Sequence, residues 1–366
     1  MKIEVDTQAM QNAINKVQKG ISSKTTLPIL EGIYIKAEDN MVTLIGTDMD
    51  LTIMTQIEAN VIDEGETVVN SRIFSDIVRT MPRETISMDV ENNVVTLKSG
   101  SSLFNISCYD SEEYPAIPTI ELDYGVVMDQ EILNDMIKGT IFSVSTDMTH
   151  PILNGSLLKI SNDEAIMVAL DGYRMSIKRK KIQNNSDLNI VIPYKALNEL
   201  SRLLEEGNLN IYVNRNQAVF DMDNTRVYTR LLEGEFIDYE NIIPNEKSLV
   251  CEVKREDIVD TLERASLISK DRRTLVKLTI DGDYMKVEGR DERGYFNDVI
   301  NIKIDGPGLT IAFNSLYLLE ALRAIEDSYV KLEFLSNVSP CIIKPVNGDD
   351  YLYLVLPVKM KDDSDA

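Results

Sequence analysis

The sequence predicts an α+β protein built as three similar domains in a row, and three observations carry that expectation. One stretch occurs twice: Pro28, Leu30, Gly32 and Asp48 recur 123 residues later as Pro151, Leu153, Gly155 and Asp171. A third, more diverged copy spans Leu275 to Arg293, where Val276, Leu278, Ile280, Met285 and Val287 repeat the apolar alternation of Ile33, Ile35, Ala37, Val42 and Leu44. Each third also opens with apolar residues at helical spacing and continues in segments of period two, the pattern of helices lying on one face of antiparallel sheet. A period of about a third of the chain is too long for a solenoid repeat. Each copy has the size of an ordinary domain with its own core.

Residues 7–21 place Met10, Ala13, Ile14, Val17 and Ile21 on one helical stripe, and such a one-sided helix covers something. Residues 129–145 and 254–270 hold the same place in the later thirds. Strand-like alternation follows at Ile33–Ala37, Met41–Ile45 and Leu51–Ile57, broken by the turn-forming Glu38-Asp39-Asn40. A second helix is expected in every third, over Ser71–Met81, Tyr194–Leu204 and Ser315–Ile325. Asn70, Pro193 and Asn314 stand in front as capping or helix-starting residues. Strands resume at Ile86, Leu209 and Val330. Each third is itself doubled, since Glu38-Asp39-Asn40-Met41-Val42-Thr43-Leu44 returns as Glu91-Asn92-Asn93-Val94-Val95-Thr96-Leu97.

A composition of 43% hydrophobic and 27% charged residues is that of a globular protein. No apolar run approaches the length of a bilayer span, and the N-terminal residues carry acids where a signal peptide has its apolar core, so a cytoplasmic protein without a membrane partner is expected. Cys108, Cys251 and Cys341 are widely spaced in strand-like contexts, which suits buried thiols better than disulfides or zinc. No phosphate-binding loop, dinucleotide fingerprint or Ser-His-Asp set is present, and His150, the single histidine, precedes Pro151 in a loop. Carboxylate pairs such as Asp48 with Asp50 read as turn residues. No metal or cofactor is expected. A metal-dependent nucleotidyltransferase or hydrolase with dispersed carboxylates remains the enzymatic alternative.

The formal net charge is −22, yet the six helical stretches with their flanks are together nearly neutral, so the acids sit on the sheets. Arg72, Arg79, Lys195 and Arg202 are among the cations that the helices carry. Any one of them reads most simply as a solvated helix face. As a set, they suit phosphate contact without sequence readout, because no base-reading or stacking signature accompanies them.

The threefold doubled repeat, Thr26-Leu27-Pro28-Ile29-Leu30, Leu153-Asn154-Gly155, Asp171-Gly172-Tyr173-Arg174 and the ending Tyr353-Leu354-Val355-Leu356-Pro357-Val358-Lys359-Met360 resemble the bacterial DNA polymerase III beta subunits, the sliding clamps, over essentially the whole chain. The resemblance implies clamp domains at 1–122, 126–246 and 248–366, closing as a head-to-tail homodimer into a six-domain ring with helices around duplex DNA. It implies a non-catalytic subunit of a DNA-directed DNA polymerase, tethering the replicative polymerase, the clamp loader and other proteins that carry clamp-binding peptides. An acidic scaffold that never encircles DNA is the alternative.

Residue by residue, the resemblance places DNA contacts at Lys24, Arg72 and Lys195 and on the loop Asp147–Ile152, where His150, Pro151 and Ile152 replace an arginine and two tyrosines of some members. It places ring closure at Phe104 and Ile106 of one copy against Leu267 and Ile268 of the other. Ile73, Ser101 and Leu103 stand there where positive charge is usual, so apolar burial should dominate; Phe104 and Ile106 as ordinary core is the simpler reading. A partner-peptide pocket maps onto Leu153, Leu170, Gly172, Tyr173, Arg174 and Met175, onto Ile237, Asn241 and Ile242, and onto Val338, Pro340, Leu354, Leu356, Pro357, Val358 and Met360. Leu170, Ile237 and Pro340 replace a common threonine, proline and serine, which should reshape the pocket. The expected ligand is an extended peptide with a glutamine followed by leucine and a terminal Leu-Phe. The simpler reading of Asp171-Gly172 is a hairpin turn alone, as at Asp48-Met49.

Overall fold

The computed structural model describes residues 1–22, 25–82, 84–116, 125–161, 163–183, 186–268 and 275–359. The first third contains β1 (Lys2–Asp6), α1 (Thr7–Val17), β2 (Gly32–Glu38), β3 (Met41–Thr47), β4 (Leu51–Glu58), β5 (Asn60–Asp63), β6 (Gly65–Asn70), α2 (Ser71–Thr80), β7 (Thr85–Glu91), β8 (Val94–Ser99) and β9 (Ser102–Tyr109). The central third contains β10 (Gly125–Asp129), α3 (Gln130–Lys138), β11 (Gly155–Ser161), β12 (Glu164–Leu170), β13 (Arg174–Lys181), β14 (Leu188–Pro193), α4 (Tyr194–Leu200), β15 (Asn208–Val213), β16 (Gln217–Met222) and β17 (Thr225–Arg230). The last contains β18 (Leu249–Lys254), α5 (Arg255–Ser266), β19 (Leu275–Asp281), β20 (Tyr284–Asp291), β21 (Gly294–Asp305), β22 (Leu309–Asn314), α6 (Ser315–Arg323), β23 (Tyr329–Phe334), β24 (Cys341–Pro345) and β25 (Tyr351–Val355).

The expected helix–strand order is present in every third. On α1 the buried residues are Thr7, Met10, Ala13, Ile14 and Val17, the stripe read from spacing. The Asn70 and Asn314 side chains cap α2 and α6 by accepting from the backbone N–H groups of Ile73 and Leu316. Several helices are shorter than the sequence suggests, α1 ending at Val17 and α5 at Ser266. α3 stops at Lys138, ahead of Gly139, and the Thr140 hydroxyl donates to the Met136 carbonyl at 2.8 Å, turning the chain out of the helix. α4 stops at Leu200. Asp39-Asn40 and Asn92-Asn93 each take φ values of 50° to 61°, the two-residue turn that matches strand twist. That is why both copies of the repeated heptad carry Asn or Asp there.

The sheets do not follow the three repeats. Two compact units form, Met1–Glu131 with Asn198–Leu231, and Ile132–Leu197 with Leu232–Ala366. The first holds a 13-stranded sheet in the order β10-β15-β16-β17-β4-β3-β2-β6-β9-β8-β7-β1-β5, and the second a 12-stranded sheet in the order β14-β11-β12-β13-β25-β24-β23-β18-β21-β20-β19-β22. Antiparallel pairing of β4 with β17, and of β13 with β25, carries each sheet from one repeat into the next. In the second unit one core lies between strands and α5 and α6, around Ile258, Leu262, Leu318, Leu322, Phe313 and Phe334. A separate cluster joins β11, β12, β13 and β25 through Leu157, Val168, Ile177 and Leu352, and segment 232–243 packs on it with Leu232, Phe236, Tyr239 and Ile243.

Cys108, Cys251 and Cys341 are buried free thiols. Burial pushes the Cys251 thiol up to about 12 and raises Cys341 well above the usual thiol range. Among the described residues no helix is long and apolar enough to cross a membrane. No cluster of His, Cys, Asp and Glu suited to a metal ion occurs among them either.

Candidate functional site

The turn at Asp171–Arg174 is the first component of the site. The Asp171 Oδ1 accepts from the backbone N–H groups of Tyr173 and Arg174, both at 3.0 Å, and Gly172 takes φ +87°. That backbone angle would strain any side chain at this position, although open space surrounds the point where a Cβ would sit, with no atom within 4 Å. The first repeat builds the same turn, with Asp48 Oδ1 accepting from Asp50 and Leu51 at 3.2 and 2.9 Å and Met49 forced to φ +80°. The turn is therefore common to both copies, and what differs is its side chains.

Arg174 supplies the difference. Its side chain is only 11% exposed; Nε donates to Asp171 Oδ2 at 2.9 Å and Nη1 pairs with Glu320 of α6. The guanidinium carbon lies 4.5 Å from the Tyr317 ring centre and 5.7 Å from that of Phe142. Tyr173, 63% exposed, stacks on Tyr317 with ring centres 6.3 Å apart. Tyr317 and Glu320 were not singled out from the sequence; an aromatic and an acid three residues apart on a helix otherwise patterned for core were the available signal.

Strand register brings the other parts to the same end of the sheet. Arg174 is opposite Val355, and Val355 is opposite Cys341, so Tyr173, Leu356 and Pro340 continue three adjacent strand ends. The segment after β25 is held by the backbone: Leu356 N–H donates to the Tyr173 carbonyl at 2.9 Å and Val358 N–H to the Ala312 carbonyl at 2.8 Å. Leu153, Leu170, Met175 and Leu354 form a buried apolar floor with Ile342. Tyr173, Ile237, Ile242, Val338, Leu356 and Val358 are exposed, while Pro340 and Pro357 are half-buried. Asn241 is exposed, and its amide donates to Asp238 at 2.6 Å. Met360 lies outside the described residues. Buried apolar floor, exposed apolar rim and a fixed charged turn make a surface able to take an extended apolar peptide.

The expected DNA-facing residues divide. Arg72 and Arg79 are exposed on α2, with Arg79 paired to Asp76 at 2.9 Å. Arg202 is exposed and pairs with Glu199 at 3.2 Å, and its carbonyl accepts from Lys19 Nζ at 3.0 Å. Lys19 has its pKa lowered by burial, with Arg202 and Lys16 adding to the effect and Glu199 and Glu205 opposing it, so acids and cations are mixed there. Lys195 is exposed on α4. His150 is exposed, its Nδ1 3.0 Å from the Thr149 hydroxyl, in a loop that the Asn154 amide ties to the Ser145 and Asp147 carbonyls. Lys24 lies outside the described residues.

The expected closure residues lie on or beside strands with an open side. Among the described residues, β9 pairs with β8 along Ser102–Ser107 but meets β6 only at Cys108 and Tyr109. Phe104 is 38% exposed and Ile106 half-buried, so neither is ordinary core. Leu103 on β9, Ile73 on α2 and Leu267 after α5 are 54%, 51% and 74% exposed, and Ile268 is half-buried.

Doubled repeats of helix and antiparallel strands, joined edge to edge, define a clamp architecture of three tandem domains. Family descriptions match along nearly the whole chain: DNA polymerase III beta subunit N-terminal domain over residues 1–118, central domain over 127–238 and C-terminal domain over 240–359. The chain belongs to the DNA polymerase III beta subunit family. It is 34% identical to the beta sliding clamp of Halalkalibacterium halodurans, over 98% of this chain and 100% of that protein, and 31% identical to that of Bacillus subtilis over the same shares. Among solved structures it is similar to the DNA polymerase sliding clamp of Bacillus subtilis (TM-score 0.95, 30% identity, 99% and 100% of the two chains). It is likewise similar to the DNA polymerase beta subunit of Streptococcus pyogenes (0.94, 27%, 98% and 100%).

Proposed function

We propose that the protein is a DNA sliding clamp: two copies close head to tail into a ring around duplex DNA and hold a replicative polymerase and other partners on it. The observation that carries this reading is the sheet itself. β4 with β17 and β13 with β25 are junctions between successive repeats, and among the described residues one edge of β9 over Ser102–Ser107 has no ladder, open to the same kind of contact. A heterologous contact that closes makes a ring. Enclosure retains DNA topologically, so the phosphate contacts of Arg72, Arg79, Lys195, Arg202 and the His150 loop can stay weak and exchangeable, as sliding requires. The chain itself is non-catalytic in this reading; its peptide-binding surface around Arg174 and Leu356 recruits polymerase and clamp loader in competition.

The test is topological. Assembled by a clamp loader on nicked circular DNA, the protein should stay bound through gel filtration and be lost when the circle is linearised. Equal retention on circular and linear duplex rejects encirclement, and no DNA retention at all favours an acidic scaffold.

A further inference from the structure

Where the first repeat has ordinary core, the central repeat has polar side chains. Leu51, Ile53 and Thr55 share one face of β4 and are each at most 1% exposed. Their equivalents on β13, 123 residues on, are Arg174, Ser176 and Lys178. The helices obey the same offset: the Thr7 N–H at the start of α1 donates to the Glu84 carbonyl, and the Gln130 N–H at the start of α3 donates to that of Gly207.

Each of the three polar residues is engaged by the segment that runs from α3 into the short turn Ile141–Ser143. Lys178, 8% exposed, donates from Nζ to Asp135 Oδ1 of α3 at 3.0 Å, and Lys180 pairs with Oδ2 at 2.6 Å. The hydroxyls of Ser143 and Ser176, both fully buried, are 2.5 Å apart. Phe142 has its ring centre 5.7 Å from the Arg174 guanidinium carbon, and it meets Tyr353 edge to face with ring centres 5.6 Å apart and planes at 76°. Tyr353 is opposite Ser176 and Tyr351 opposite Lys178, so β25 completes the layer. Gly139 lets the chain leave α3 close against it: a Cβ there would meet the Asp135 carbonyl oxygen and Lys178 Cδ at 3.1 Å and the Tyr353 hydroxyl at 3.4 Å. In the first repeat the equivalents of Asp135 and Phe142 are Asn12 and Lys19, which bond instead to Gln8 and to the Arg202 carbonyl.

Stability alone does not account for the exchange. A buried ion pair is often no more stabilising than the apolar side chains that could replace it, and a buried hydroxyl or guanidinium contributes only while its partner stays in place. What the polar layer adds is position, because hydrogen bonds to charged groups accept few geometries.

Resting on the peptide-site reading above, we propose that Phe142 is a positioning residue for the partner peptide: it seats the Arg174 guanidinium, and through that contact the rim of the peptide surface is set from α3. The line of contact is short. Arg174 closes the turn onto Asp171 through Nε and its backbone N–H, the turn presents the Tyr173 carbonyl, and that carbonyl holds the Leu356 N–H at 2.9 Å. Without the Phe142 ring the guanidinium keeps its two acids but loses a wall. Tyr173 and Leu356 are then less fixed, and a peptide has to order them on binding.

The probe is a short peptide with a glutamine followed by leucine and a terminal Leu-Phe, titrated by fluorescence anisotropy against the full chain. Phe142→Leu keeps an apolar side chain and removes the ring. Affinity should fall about fivefold, the size of a partly desolvated cation–ring contact, and Phe142→Tyr should recover most of it. Because Phe142 acts through Arg174, adding Phe142→Leu to Arg174→Ala should cost no further affinity, a non-additivity that a merely structural residue would not give. Peptide taken to millimolar concentration keeps the weakened variants measurable, and Phe142→Met takes the place of Phe142→Leu in the cycle should the latter fail to fold. Parental affinity in Phe142→Leu, or the same loss repeated in the Arg174→Ala background, overturns the assignment and leaves the peptide site in place. A parent that binds no peptide overturns the site reading and the assignment with it.

Discussion

Arg174 lies against Tyr317 with the guanidinium carbon 4.5 Å from the ring centre, and the same guanidinium joins Asp171 to Glu320, residues 149 positions apart in the chain. The charge is largely withdrawn from water, so it fixes the turn and the two tyrosines more than it offers itself to a ligand. Arg174→Ala leaves two carboxylates facing each other without their cation, and a loss of about 2 kcal/mol of unfolding free energy is expected in urea denaturation. Arg174→Lys should recover little, because an ammonium cannot satisfy both acids and stack on the ring at once.

Glu288 gives an acid-side prediction. Hydrogen bonds from Lys286 and Lys277 hold its carboxyl down at about 2, with the Tyr295 hydroxyl also donating at 2.8 Å. A carboxyl depressed on folding stabilises the native state above its unfolded pKa and loses that contribution as pH falls through the folded value. Glu288→Gln should therefore have a lower urea midpoint than the parent at pH 7, and the gap should narrow steadily below pH about 4.5. A gap independent of pH assigns the effect to packing alone.

On the helices, the cations already paired with acids should matter least for DNA. Arg79 is tied to Asp76 and Arg202 to Glu199. Each phosphate contact contributes about −0.9 to the slope of log affinity against log salt. Neutralising Lys24 and Arg72 together should flatten that slope on short duplexes by roughly twice this amount and slow loading, whereas Arg79→Gln should change it by less than one contact. An unchanged slope in the double variant removes both residues from the DNA-facing set.

Local physics was legible in the sequence and long-range pairing was not. Period-two segments, the Asn caps and the Asp39-Asn40 turn depend on neighbours a few residues away, and each is found where the pattern put it. The Asp171 turn was legible for the same reason, down to its twin at Asp48. Helix ends were less so: Gly139 and the Thr140 side-chain bond truncate α3 inside a stretch whose apolar spacing continues. The sheet that passes from β13 to β25, and the Arg174–Glu320 pair within it, join residues far apart in the chain, and nothing in either local pattern names the other.

The segment after β25 tests the peptide site. Leu356 and Val358 expose apolar side chains while their N–H groups are tied to Tyr173 and Ala312, so the segment is a fixed wall rather than a loose tail. Its partners across the floor, Leu170, Met175 and Leu354, are buried in a cluster that includes neither Leu356 nor Val358. Ending the chain after Val355 should abolish binding of a short peptide with a glutamine followed by leucine and a terminal Leu-Phe. The parent should bind that peptide at micromolar strength, about −8 kcal/mol. The dimer should persist, because the truncation leaves Phe104, Ile106, Leu267 and Ile268 untouched. Leu356→Ser, a milder change that keeps the backbone bond to Tyr173, should weaken the peptide by about tenfold through lost apolar contact. Titration by fluorescence anisotropy, with sedimentation run alongside, separates the outcomes: parental affinity in the truncated dimer moves the pocket elsewhere on the chain.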